Sequence, residues 1–100
     1  MTVDREFVLA KLREQREHIE QEYGLRMVGI VGSVARGEAT DKSDIDVIVD
    51  VTGRPTLFSL ADAESDLSQA VGLGLPVEIV LREGMRPSGR QLMERDLVPF

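Results

Sequence analysis

Val28-Gly-Ile-Val-Gly-Ser-Val-Ala-Arg-Gly-Glu-Ala-Thr-Asp-Lys-Ser-Asp-Ile-Asp-Val-Ile-Val-Asp-Val51 is the segment around which the rest of the chain arranges itself. An apolar strand runs into a Gly-Ser turn at Gly32-Ser33, and a short turn bearing Arg36 follows. A polar loop then leads to a second apolar strand that opens with two aspartates. Ten residues, Val34 to Ser43, separate Ser33 from Asp44. Side chains alternate along a strand, so Asp44 and Asp46 point the same way, about 6–7 Å apart. Two carboxylates on one face, beside a glycine-opened turn with free N–H groups, suit a divalent metal carrying a phosphate chain. That is a nucleoside triphosphate site in outline. The structural alternatives are that Ser33 merely caps a helix, and that both aspartates cap the preceding loop. Capping accounts for one carboxylate better than for two. Arg36 sits three residues beyond Ser33 and can reach a phosphate oxygen, or else pair with Glu38 or Asp41 on the surface.

Gly-Ser, ten residues and Asp-x-Asp together resemble the motif of the nucleotidyltransferase superfamily that includes DNA polymerase beta and kanamycin nucleotidyltransferase. The fuller pattern, Gly32-Ser33-x-Ala35-Arg36-Gly37 with Ser43-Asp44-Ile45-Asp46, is similar to its small branch, the minimal nucleotidyltransferases or MNT antitoxins. The central match spans Gly29 to Val51, and the order of elements extends it over nearly the whole chain.

Length and charge set the outer bounds. One hundred residues suit one domain over residues 1–100, with a single modest core and no second substrate-binding domain. A net charge of −6 and a pI near 4.7 argue against non-specific nucleic-acid binding, which needs a basic footprint. Zero cysteines exclude disulfides and thiolate metal sites and fit a reducing cytoplasm. The N-terminus shows no signal-peptide pattern, and no apolar run approaches the ~20 residues of a membrane span.

Taken in order, Asp4 to Tyr23 reads as one helix, capped by Asp4, striped by Val8, Leu12, Ile19 and Tyr23, and stopped by Gly24. Its charged face reads as solvated surface, and His18 as an ordinary surface histidine without a metal partner. Leu25–Val31 and Asp44–Val51 are the first two strands, with Ile45, Val47, Val49 and Val51 on one face and Ile48 beside Asp44 and Asp46 on the other. Asp50 reads as strand-end polar. Thr56 caps a helix to about Val71, stopped by Gly72. Val77–Leu81 is the third strand, and its Glu78 reads from residue pattern alone as edge-exposed. Pro87–Gln91 opens a last helix with Ser88 and Gln91 spaced as a capping box, Leu92 and Met93 packing inward, and Arg90 and Arg95 facing solvent or substrate. The apolar end of the chain finishes the core or meets a partner. The fold expected is α/β in a mixed α+β arrangement, with a small, mixed three-stranded sheet flanked by helices.

The resemblance implies more than the residues alone. It implies a Mg²⁺-dependent transfer of nucleotide from ATP, with two ions, in which Asp44, Asp46 and Glu78 coordinate metal and Gly32, Ser33 and Arg36 hold the phosphates. Many relatives place Asp where this chain has Glu78. It also implies an antitoxin that adds AMP to a tyrosine of a HEPN-domain toxin ribonuclease, with which it forms a hetero-oligomer. Two other readings are a stoichiometric binding antitoxin without catalysis, and a small-molecule nucleotidyltransferase that works with a separate substrate-binding subunit. Base preference, acceptor residue and oligomeric state are not written in the motifs.

Overall fold

The computed structural model describes residues 3–100. The elements run α1 (Arg5–Arg13), α2 (Arg16–Tyr23), β1 (Leu25–Val31), α3 (Gly32–Ala35), β2 (Ile45–Val51), α4 (Leu57–Val71), β3 (Val77–Leu81), a 3₁₀ turn (Arg82–Gly84), α5 (Pro87–Asp96) and β4 (Val98–Pro99). The sheet order is β3-β2-β1-β4, with β1 antiparallel to β2 and β4, and β3 parallel to β2. The α/β class and the mixed sheet are as expected. The strand count is not three but four. Val98 and Pro99 pair with Ile30 and Gly29, and the Phe100 N–H donates to the Val28 carbonyl at 3.2 Å. A two-residue strand containing proline carries no period-2 signal, so only the apolar tail hinted at it.

The main core lies on one face of the sheet. Ile45, Val47 and Val49 from β2 and Leu25, Met27 and Ile30 from β1 meet Val8, Leu12, Ile19, Ala63 and Leu67 from the helices. The β1 side changes phase within the strand. Leu25, Met27 and Ile30 oppose Val51, Val49 and Val47, with a register shift between Met27 and Gly29. That bulge keeps Ile30 in the core and puts Gly29 and Val31 on the opposite face, facing Ile48 and Asp46. Gly29 is obligatory there, because a Cβ would lie 2.5 Å from the Val98 carbonyl oxygen.

The helix expected over Asp4 to Tyr23 is two helices. Asp4 caps α1 as predicted, accepting from the N–H of Glu6, but the chain turns at Glu14-Gln15 before α2 begins. Between Leu12 and Ile19 no residue is apolar, so nothing holds that turn to the core, and the chain re-aims to bury Ile19. Gly24 ends α2 in the left-handed conformation, at φ 67°. The helix after Thr56 is as predicted: Thr56 and Ser59 cap each other reciprocally, and Gly72 closes the C-terminus. The Ser88–Gln91 capping box does not form. α5 starts at Pro87 with Arg86 as its cap residue, since proline's fixed φ suits the first helical position. Met93 packs inward, but Leu92 is 53% exposed. None of the helices among the described residues is long and apolar enough to cross a membrane.

Candidate active site

Three elements meet at one end of the sheet: the C-terminus of β1, the start of β2 and the start of β3. Val31 stands opposite Asp46 in the β1–β2 pair, and Glu78 stands opposite Asp46 in the β2–β3 pair. Paired residues share a face, so Asp46 and Glu78 project together from the side away from the main core. Asp44, one residue before β2, has the same parity. Directly after Val31 the chain turns at Gly32, with φ 82°, and its backbone lies against the Asp46 carboxylate. A Cβ at Gly32 would come within 2.6 Å of Asp46 Oδ2. Both constraints require glycine.

Electrostatics mark Asp46 as the centre of the cluster. Burial pushes its carboxyl above the ordinary aspartate range, and the negative charges of Glu78 and then Asp44 push the same way. Asp44 and Glu78 are exposed and able to turn. The donor set is all hard carboxylate oxygen, the chemistry that suits Mg²⁺, and a cation would relieve the repulsion at Asp46. As the side chains stand, no three acidic or His side chains among the described residues converge on one metal-sized point.

The phosphate-side residues behave differently from one another. Ser33 is half-buried in α3 directly beyond Gly32. Arg36, at the end of that turn, is exposed and doubly engaged, donating from Nε to Glu38 at 3.2 Å and from Nη1 to Asp96 at 3.1 Å. The surface pairing with Glu38 is thus present, and Asp96 at the end of α5 is a partner that no local spacing announced. Gly32, Arg36 and Asp46 line a common pocket of about 340 Å³, walled also by Ile48, Val80, Met85, Leu92 and Met93.

Sequence reasoning passed over two further contacts. Asp50, two steps along the same face, forms a two-pronged ion pair with Arg82, whose Nε donates at 2.8 Å. Glu64 on α4 accepts from the Ile79 N–H at 2.8 Å and so covers the outer edge of β3. Both partners are distant in sequence, and a single chain offers no signal for either. His18 is likewise not idle surface: its Nε2 lies 3.0 Å from Asp66, which also accepts from the Tyr23 hydroxyl.

Comparison with known proteins places the chain in a family and matches its fold. Residues 12–97 match the nucleotidyltransferase domain family. The protein adenylyltransferase MntA of Thermococcus cleftensis is 30% identical over 87 residues, covering 87% of this chain and 86% of its own. A Methanocaldococcus jannaschii protein provisionally named a protein adenylyltransferase is 32% identical over 88 residues, again covering 87% of this chain and 88% of its own. Among solved structures, one described as a minimal nucleotidyltransferase superimposes with a TM-score of 0.71 at 34% identity, covering 98% of this chain and 97% of that one. A toxin-antitoxin structure with AMP-PNP shares the fold, with a TM-score of 0.66 at 18% identity over 97% of this chain and 72% of that one.

Proposed function

This chain belongs to the nucleotidyltransferase domain family and is a nucleotidyltransferase, and from that premise we propose that it transfers AMP from ATP to a tyrosine hydroxyl of a HEPN-domain ribonuclease toxin. It acts in the cytoplasm, as one domain over its 100 residues, in complex with the toxin it silences. The observation that carries the reading is the contact of Gly32 with Asp46, with Glu78 in register beside it. It sets the Gly32 turn beside the carboxylates of Asp46 and Glu78. The names of the relatives favour protein as the acceptor, and the toxin-antitoxin structure that shares the fold favours a toxin as the partner.

In this reading Asp44, Asp46 and Glu78 hold Mg²⁺, with Asp46 fixed by β2 and the exposed Asp44 and Glu78 turning in to join it. A metal held by these carboxylates would supply positive charge against that developing on the phosphates. Gly32 and Ser33 hold the terminal phosphates. Arg36 exchanges its two charge-assisted contacts, with Glu38 and Asp96, for contact with phosphate oxygen. Glu78 is longer than the aspartate common at its position, and its exposed place on the edge strand gives that length room. It also stands where it can accept the proton of an incoming hydroxyl. The bond formed joins the acceptor oxygen to the α-phosphorus, and the bond broken releases pyrophosphate.

A label-transfer experiment tests the reaction type. ATP labelled at the α-phosphate should label the partner, while ATP labelled at the γ-phosphate should not. Labelling from the γ-position would contradict nucleotidyl transfer.

A further inference from the structure

Asp96 is the last residue of α5, where a carboxylate meets the negative end of the helix macrodipole. Nothing within α5 favours it there. Its partner comes from across the fold: Oδ2 accepts from Arg36 Nη1 at 3.1 Å, over a separation of 60 residues. Arg36 in turn springs from the Gly32 turn, its N–H donating to the Gly32 carbonyl at 3.1 Å. One ion pair thus ties that turn to the end of α5, and Gly32, Arg36, Asp46 and Asp96 all line one pocket. We propose that Asp96 is a built-in competitor for the phosphate chain. It holds the Arg36 guanidinium while the turn is empty and releases it when nucleotide binds, which keeps nucleotide affinity below what the turn alone would give. This rests on the reading of Arg36 as a phosphate ligand.

Three features of the contact support it. The first is which carboxylate is the rival. Arg36 also donates to Glu38, but the Glu38 side chain is 65% exposed and that pair is screened by solvent. The Asp96 side chain is 14% exposed, so its hold on the guanidinium is the stronger one.

The second is that the pair opens without leaving a bare charge. Asp96 Oδ1 already lies 3.6 Å from Nε of Arg95, whose exposed side chain is able to follow it. A half-buried carboxylate left without any cation would resist the exchange far more strongly. The third is charge. One guanidinium set against two carboxylates makes a net negative group, which repels an incoming triphosphate. Once released, the guanidinium presents its full positive charge to the turn.

The test measures inorganic tripolyphosphate binding with Mg²⁺ by titration calorimetry. It uses four proteins: native, Asp96→Asn, Arg36→Gln and the double variant. Asp96→Asn keeps the side-chain shape and removes a charge that the end of α5 disfavours, so this variant should fold. It should bind tripolyphosphate about two- to fivefold more tightly, the scale of one partly exposed ion pair. Arg36→Gln should bind it at least about tenfold more weakly. In the Arg36→Gln background the Asp96 substitution should have no effect, because the competition acts only through the guanidinium. Equal tightening in both backgrounds would show that Asp96 acts on the phosphates by its charge alone, and would overturn the inference. Unchanged or weaker binding by Asp96→Asn, with Arg36→Gln still impaired, would overturn it too, by making Asp96 a bystander or a support for Arg36. Tripolyphosphate bound equally by the native protein and Arg36→Gln, or by neither, would instead overturn the reading of Arg36 as a phosphate ligand, and this inference with it.

Discussion

Asp46 and Glu78 face one another across the parallel β2–β3 pair, on the side of the sheet away from the main core. Thirty-one residues of chain, from Val47 to Val77, separate them. The folded sheet alone brings them together, and the pairing tunes the charge of the site.

The first prediction concerns that charge. The folded-state pKa of Asp46 is raised by burial, Glu78 and Asp44, so its ionised form destabilises the metal-free protein. The stability it contributes is complete below the ordinary aspartate value near 3.9 and is lost as pH rises through the raised folded value. Asp46→Asn should therefore unfold at a higher temperature than the native protein at pH 7, with the advantage shrinking as pH falls toward about 4. Thermal unfolding of both proteins across that range checks it. An advantage that grows on acidification would contradict the assignment.

Gly32 yields a second. Gly32→Ala forces a side chain onto a left-handed residue and sets its Cβ 2.6 Å from Asp46 Oδ2. The conformation alone costs roughly 1–2 kcal/mol, and the clash displaces the carboxylate. Chemical denaturation should show at least that loss, and nucleotide transfer should fall much further than stability does. A variant that keeps full transfer would show that Asp46 tolerates displacement.

The phosphate end supplies a third. Ser33→Ala combined with Arg36→Ala should weaken ATP binding by about 1–3 kcal/mol, the scale of charge-assisted hydrogen bonds. Titration with a non-hydrolysable ATP analogue measures it. Unchanged affinity would leave Arg36 as the surface partner of Glu38 and Asp96 alone.

A fourth lies on the helical side. Tyr23 donates to Asp66 at 2.5 Å, and that bond pushes its phenol up to about 12 while holding Asp66 below the usual range. Tyr23 is the sole tyrosine and the chain has no tryptophan, so its ionisation is directly visible by ultraviolet absorbance. Asp66→Asn should return it toward about 10. The linked stability is complete below the ordinary tyrosine value and is lost as pH rises through 10 toward about 12. At the acid end, the Asp66 contribution is present above the ordinary aspartate value and is lost as pH falls through its lowered one.

Local chemistry made much of this structure legible before folding was considered. Thr56 and Gly72 bound α4 because caps act over three or four residues, and the alternation Ile45, Val47, Val49 sets the buried face of β2 by period alone. The local placement of Gly32 and Ser33 in one turn, and of Asp44 and Asp46 at the head of one strand, was legible for the same reason, since each pair lies within a few residues. What sequence could not supply depended on long-range closure. The Arg36–Asp96 and Arg82–Asp50 pairs join residues 60 and 32 positions apart. The break between α1 and α2 has no breaker residue and follows from which side chains the core can reach. β4 is set by the close approach of Val98 to Gly29, a steric fit without any periodic signature.

Transfer of AMP to a partner protein is the central claim, and intact-mass spectrometry addresses it most directly. A purified HEPN-domain partner incubated with this protein, ATP and Mg²⁺ should gain about 329 Da, or a multiple of it, one unit for each nucleotidyl transfer. The same incubation with the Asp44→Asn, Asp46→Asn double variant should leave the partner's mass unchanged and its ribonuclease active. An unchanged mass with the native protein, together with full neutralisation of the ribonuclease by the double variant, would contradict the account and establish that the protein acts by binding alone.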